Sequence, residues 1–298
     1  FWPAAATGAP RALVIVALLG FLAWINVLGV RHGAWTAVAL VIAKIVPLVL
    51  FIAIGIFYVE WPRVAAVEMP SPAALGEASL LMLFAYAGFE NTPAAAGEYK
   101  NPRRDVSFAL LTMIVAVTLL YAGVQLVALG TLPTVAASSS PVAEAAGVFM
   151  GAGGAVLMSV GALLSIGGNV GNTVLVGPRY LYAVAKDGYG PSLLASVHAR
   201  YATPVAAIVV SVVLALALAL TGSFVELAML SVVARLVTYV GTAAALPVLR
   251  KRMTGRPGAL ELPGGPAIPV LALALSLAFL ASAEWGNLLA GGVALAAG

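Results

Sequence analysis

The 298-residue chain is 62% hydrophobic and 9% charged, with a mean hydropathy of +1.08. That composition belongs to a polytopic membrane protein and excludes an ordinary soluble domain. The absence of cysteine excludes disulfides, thiolate metal sites and cysteine nucleophiles, and the net charge of +4 reflects basic clusters between apolar spans, a topology pattern rather than a nucleic-acid-binding one.

Nine apolar segments follow one another at roughly 11–29, 34–59, 75–99, 106–131, 147–185, 204–222, 224–249, 267–283 and 286–298. The segment 147–185 is too long for one span, and its last part, RYLYAVAKDG, is expected to emerge on the cytoplasmic side. Residues 131–146, TLPTVAASSSPVAEAA, read as a loop with a short helix after Pro141. The chain begins at Phe1 and ends on GGVALAAG, a run too short to span, so it reads as a fragment truncated at both ends. The two histidines, His32 and His198, fall in short polar connections. No metal and no cofactor is expected. No GxxxxGK[ST] loop is present, which disfavours ATP-driven transport within the chain.

Charge gives the orientation. With the loop after residue 30 in the cytoplasm, the inner side holds Arg31, Lys100, Arg103, Arg104, Arg179, Lys186, Arg200, Arg250, Lys251, Arg252 and Arg256. The outer side then holds only Arg11 and Arg63, as the positive-inside rule requires.

The stretch around which the chain is organised is 81–105, LMLFAYAGFENTPAAAGEYKNPRRD. If its helix begins near Leu75, Gly88 lies roughly 20 Å in, near the middle of an apolar slab about 30 Å thick. Thr92 is a good N-cap and Pro93 suits a first helical position, so a second half-helix is expected to start there. A break at that depth leaves peptide groups unpaired, which is tolerated where they line a cavity or bind something. A kink at Gly88 for packing alone is the other reading.

FAYAGFE followed by AGEYKNPRRD resembles the sixth helix and following loop of the amino acid/polyamine/organocation (APC) superfamily of permeases. The resemblance extends along the chain. FLAWINVLGVRHGA and AKIVPLVLFIAIGIFYV are similar to the family's fourth and fifth helices, and RYLYAVAKDGYGPSLLASVHARYATP to the end of the eighth and its loop. LSVVARLVTYV with PVLRKR is similar to the tenth helix, and LPGGPAIPVLAL to the eleventh. The resemblance implies an all-α membrane protein with the leucine-transporter-like inverted-repeat fold of secondary transporters. Residues 1–298 would then be one transmembrane permease domain, incomplete at the N-terminus, with the second five-helix repeat at 75–249. It implies a multi-pass protein of the cytoplasmic membrane, a transporter and not an enzyme, whose partners are an amino acid, protons and lipid. Substrate would bind at mid-membrane and be exposed to either side in turn. An antiporter of amino acids against their amines, and a membrane sensor or partner subunit that binds without flux, stay open beside proton symport.

Lys44 lies about ten residues into its segment, where a charge costs about 2.5–3.5 kcal/mol on insertion scales. The resemblance places it, by its AKxxPL context, where proton-coupled members carry a coupling lysine. A structural lysine bonded to carbonyls of neighbouring helices is the plain alternative. Ser165 and Asn169, amid Gly161, Gly167, Gly168 and Gly171, are candidates for facing Lys44 on the eighth helix; mutual satisfaction across helices would explain them equally well. Phe84, Ala85, Tyr86, Ala87 and Gly88 are the expected substrate wall. The carbonyls of Phe84, Ala85 and Ala87 would lose their donors where the helix unwinds, and the resemblance implies that a substrate ammonium takes them, with Phe84 as a lid. Tyr86 faces either the site or its neighbours. Glu90 reads as a ligand group or as a charge favoured at a half-helix N-terminus. Arg235, deep in its helix, reads as structural or gating.

Overall fold

The computed structural model describes residues 7–28, 33–65, 69–92, 100–252, 265–283, 285, 286, 288, 289 and 292, and of 33–38, 91 and 103 it describes only the backbone. Among the described residues the chain is helical throughout, with no strand. The helices are α1 (Gly8–Leu28), α2 (Gly33–Gly55), α3 (Trp61–Ala65), α4 (Pro72–Tyr86), α5 (Pro102–Thr131), α6 (Pro141–Lys186), α7 (Val205–Thr221), α8 (Phe224–Arg252) and α9 (Ala267–Ala281). Five of them, α1, α2, α5, α6 and α8, are long and apolar enough to cross a membrane. The apolar segment expected at 286–298 lies almost wholly outside the described residues, as do Pro93 and its half-helix.

Two units make up the chain, one of Phe1–Ala66 with Ala122–Gly222 and the other of Val67–Tyr121 with Ser223–Gly298. In the first unit, Phe51 of α2 packs with Val127 and Ala128 of α5 and with Ala145, Ala146 and Met158 of α6. The rings of Phe51 and Tyr58 both meet Phe149, at 5.4 and 5.6 Å. A second cluster joins Leu19 of α1, Val174 of α6, and Ile208 and Val212 of α7. Inside lipid such clusters hold helices together by close packing rather than by escape from water.

Helix α1 is tied at one end to α7 and at the other to the segment that leads into it. Arg11, near the start of α1, donates through Nη2 to the carbonyls of Ala219 and Gly222, at 3.0 and 3.4 Å. These carbonyls close α7 and have no helical donor, and a cation is favourable beside them. At the other end Thr203 Oγ1 donates to the Val27 carbonyl at 2.9 Å. Arg63 works similarly, donating to Gly130 near the end of α5 at 3.1 Å while it pairs with Glu60 at 2.8 Å.

The 46 residues assigned to α6 are two helices in sequence. Gly151 (φ 67, ψ −164) turns the chain between them, in a conformation that a side chain opposes. That accommodates the short helix expected after Pro141, and the second helix runs from there to Lys186. Further along, Pro178 has no N–H, so the Val174 carbonyl loses its helical donor. Asn26 of α1 replaces it, with Nδ2 at 2.7 Å from the Val174 oxygen.

In the second unit, Leu80 of α4 packs among Met229, Val232, Val233 and Leu236 of α8, with Ala283 beyond α9. Helix α4 starts at Pro72, three residues earlier than the sequence suggested. Ser71 Oγ accepts from Ala74 N–H at 3.2 Å, and Pro72 occupies the first turn. Its 15 residues span roughly 22 Å, less than the apolar thickness of a bilayer. The helix that the apolar run 75–99 led us to expect therefore stops at Tyr86.

Candidate functional site

Two groups of residues matter, one in each unit. The first is the end of α4. Ala87 is extended (φ −60, ψ 144), Gly88 is left-handed (φ 118, ψ −18), and a single 3-10 turn, Phe89–Asn91, follows. The helical ladder is broken where the glycine stands, because only glycine adopts that φ without strain.

The break is held from three sides of its own unit. Glu90 folds back, and its Oε2 accepts the Gly88 N–H at 2.9 Å. Its Oε1 forms an ion pair with Nη1 of Arg235 on α8. Arg235 Nε also donates to Ser231 Oγ at 3.3 Å. From α5, the Tyr121 hydroxyl donates to the Ala85 carbonyl at 3.0 Å. Tyr86 donates to Thr118 Oγ1 at 2.9 Å, and its ring meets Tyr121 edge-on at 5.4 Å. Phe89 lies against Tyr239, 5.8 Å between centroids.

The expected wall residues thus have distinct situations. The Phe84 carbonyl accepts the Ala87 N–H at 3.1 Å, and the Phe84 ring packs edge-on to Phe224 at 5.7 Å. The Ala85 carbonyl already has a hydroxyl donor. The Ala87 carbonyl has no donor among the described residues. A Cβ on Gly88 would meet nothing within 4 Å, so space is open at the break.

The second group lies on α2 and α6. Lys44 is the midpoint of the 23-residue α2, roughly 17 Å from either end. It lines two cavities of about 610 and 250 Å³. Ser165 lines both, and Asn169 and Asn172 line the smaller. These three stand at i, i+4 and i+7 of α6, one helical face. Lys44 makes no hydrogen bond or ion pair among the described residues, so the carbonyl anchoring considered for it is not observed there.

The close approach of α2 and α6 has a local cause. A Cβ on Gly161 would lie 3.2 Å from Pro47, and one on Gly168 would lie 3.2 Å from Leu40. Gly171 faces Leu22 at 3.7 Å, whereas Gly167 faces open space. Two of the four glycines therefore sit where the helices touch closely.

Sequence reasoning treated Glu90 and Arg235 separately and did not single out Tyr121 or Asn26. In a chain so poor in charge, an acid and a base both within apolar segments must find partners, and that scarcity was the available signal for the pair. Pro178 was the signal for Asn26, because it announces a carbonyl in want of a donor.

A sequence model of the amino acid permease family matches residues 4–289. The chain belongs to that family. It is 32% identical over 282 residues to the serine/threonine exchanger SteT of Bacillus subtilis, which covers 93% of this chain and 64% of that protein. It is also 32% identical over 284 residues to the branched-chain amino acid permease BcaP of the same organism, covering 92% of this chain and 59% of that one. With cationic amino acid transporter 3 of Arabidopsis thaliana it shares 31% identity over 58% of this chain and 28% of that protein. The chain spans about three fifths of the length of the two bacterial relatives. As an APC-superfamily member with several apolar helices, it is a multi-pass membrane protein.

Proposed function

We propose that this protein carries amino acids across the cytoplasmic membrane as a secondary transporter, by proton-coupled symport with alternating access. The observation that carries the reading is the open break at Gly88, in an apolar helix of an amino acid permease. The break offers to a substrate ammonium the Ala87 carbonyl, which has no donor among the described residues, and leaves room beside a residue that has no side chain. Phe84, Ala85, Tyr86, Ala87 and Gly88 form the substrate wall in this reading, with Ala87 as the foremost acceptor. Exposed backbone is tolerated at such a depth where it faces a cavity or a ligand.

Lys44 carries the proton. It stands mid-helix, makes no ion pair among the described residues, and lines a cavity together with Ser165, Asn169 and Asn172. A lysine in this setting can release its proton to one side and regain it from the other, with the serine and asparagine stabilising the ammonium.

The test is uptake of labelled amino acids by liposomes containing the protein, with and without an inward proton gradient. Gradient-driven accumulation, abolished by Lys44→Ala, is the expected result. Undiminished gradient-driven uptake by Lys44→Ala would remove Lys44 from the mechanism. Exchange is the second reading, favoured by the similarity to SteT, a serine/threonine exchanger. Counterflow without any pH dependence would establish it. Binding without flux would instead identify a sensor or partner subunit.

A further inference from the structure

We propose that the Glu90–Arg235 ion pair sets the charge selectivity of the break, so that it accepts amino acids with uncharged side chains and rejects cationic and anionic ones. This rests on the transport reading above and adds the substrate class.

The geometry leaves little freedom to Glu90. One carboxylate oxygen takes the Gly88 N–H at 2.9 Å and the other takes the Arg235 guanidinium. Gly88 is the centre of the break, so the pair lies within one residue's reach of anything bound there. The side chains are 28% and 35% exposed, open enough to act on a ligand yet shielded enough for charge to count. Of the other acids in the described helices of the same unit, Asp105 and Glu226 lie in the first turns of α5 and α8, and Glu77 lies eleven residues before Gly88 in α4. Glu90 is therefore the acid at the break, and Arg235 has already neutralised it.

Charge bookkeeping gives the selectivity. An amino acid with an apolar or hydroxyl side chain brings one ammonium and one carboxylate, a net charge of zero, to a locally neutral wall. Lysine or arginine brings one further cation, which needs an unpaired acid in a poorly polarisable site. Among the described residues none is free at the break, and the guanidinium repels it. Aspartate or glutamate would need a free base, and Arg235 is occupied. Discrimination comes from the partner that is withheld as much as from contacts that are made.

Two mirrored variants test this in the protein reconstituted in liposomes, using labelled leucine, lysine and glutamate in competition. Wild type should carry leucine at least about tenfold better than either charged substrate. Arg235→Gln leaves Glu90 unpaired and should raise the lysine-to-leucine ratio about tenfold or more. Glu90→Gln frees Arg235 and should raise the glutamate-to-leucine ratio instead. The double variant Glu90→Gln/Arg235→Gln should return both ratios towards wild type. For a variant that accumulates but does not transport, ligand-induced thermal stabilisation in detergent reads the same preferences.

Equal uptake of lysine and leucine by wild type overturns the proposal and leaves amino acid transport standing. So do single variants with unchanged ratios, or a double variant as defective as the singles, which would make the pair a structural tie. Absence of uptake and of stabilisation for every amino acid in wild type would overturn the transport reading as well.

Discussion

Replacing Asn26 by leucine should cost stability only while Pro178 is present. In the native chain the Val174 carbonyl has no helical donor, because its partner four residues on is a proline, and Asn26 Nδ2 supplies the bond at 2.7 Å. Asn26 is 3% exposed and Val174 8% exposed, so water cannot readily take over. Leaving the carbonyl unpaired costs about 1–3 kcal/mol. Against this, Asn26 Oδ1 is itself buried without a partner, and leucine removes that atom. The two effects oppose, and interhelical bonds in membranes average about 0.6 kcal/mol, so Asn26→Leu should destabilise by about 1 kcal/mol. In a Pro178→Ala background, the restored N–H at 178 feeds the Val174 carbonyl, and Asn26→Leu keeps only its benefit. It should then be neutral or slightly stabilising. The coupling between the two positions is about 1–2 kcal/mol. Equilibrium unfolding of the four proteins in bicelles measures it. Equal costs of Asn26→Leu in both backgrounds, within about 0.3 kcal/mol, would refute the argument.

Other consequences are simpler to reach. Gly88→Ala meets no steric obstacle but must hold φ near 118, so it should cost about 1–3 kcal/mol and impair uptake without altering helix content by circular dichroism. Lys44→Arg keeps a fixed charge that cannot be released, so gradient-driven accumulation should vanish while exchange of amino acids persists in counterflow assays. Tyr121→Phe removes the hydroxyl on Ala85 and should lower stability in detergent by about 1 kcal/mol, with leucine uptake reduced less than tenfold.

The legible part of the fold was what depends on local chemistry. The apolar runs located the helices, because their length and composition match a bilayer. The glycine in FAYAGFE marked the end of α4, because no other residue tolerates that backbone turn. Ser165 and Asn169 were singled out through the resemblance to the family's eighth helix, and both line a cavity that Lys44 also lines. What spacing does not encode is the partner. Asn26 and Val174 are separated by 148 positions, and nothing local to Asn26 names the carbonyl it will serve.

The same limit explains the wall residues. The expectation that three carbonyls would stand bare treated the break as a property of α4 by itself. In the folded chain, breaking the ladder creates a demand that neighbours answer at once. Phe84 is satisfied by its own Ala87, Ala85 by Tyr121 on α5, and the Gly88 N–H by Glu90. Of these three carbonyls, that of Ala87 is left without a partner among the described residues, and it adjoins the residue around which space is open. A binding site made from broken backbone must meet two conflicting needs: enough peptide groups paired for the break to persist in an apolar surrounding, and at least one unpaired for a ligand. In the transport reading proposed above, the division among Phe84, Ala85 and Ala87 meets both, and a substrate ammonium docks first at the Ala87 carbonyl beside the glycine.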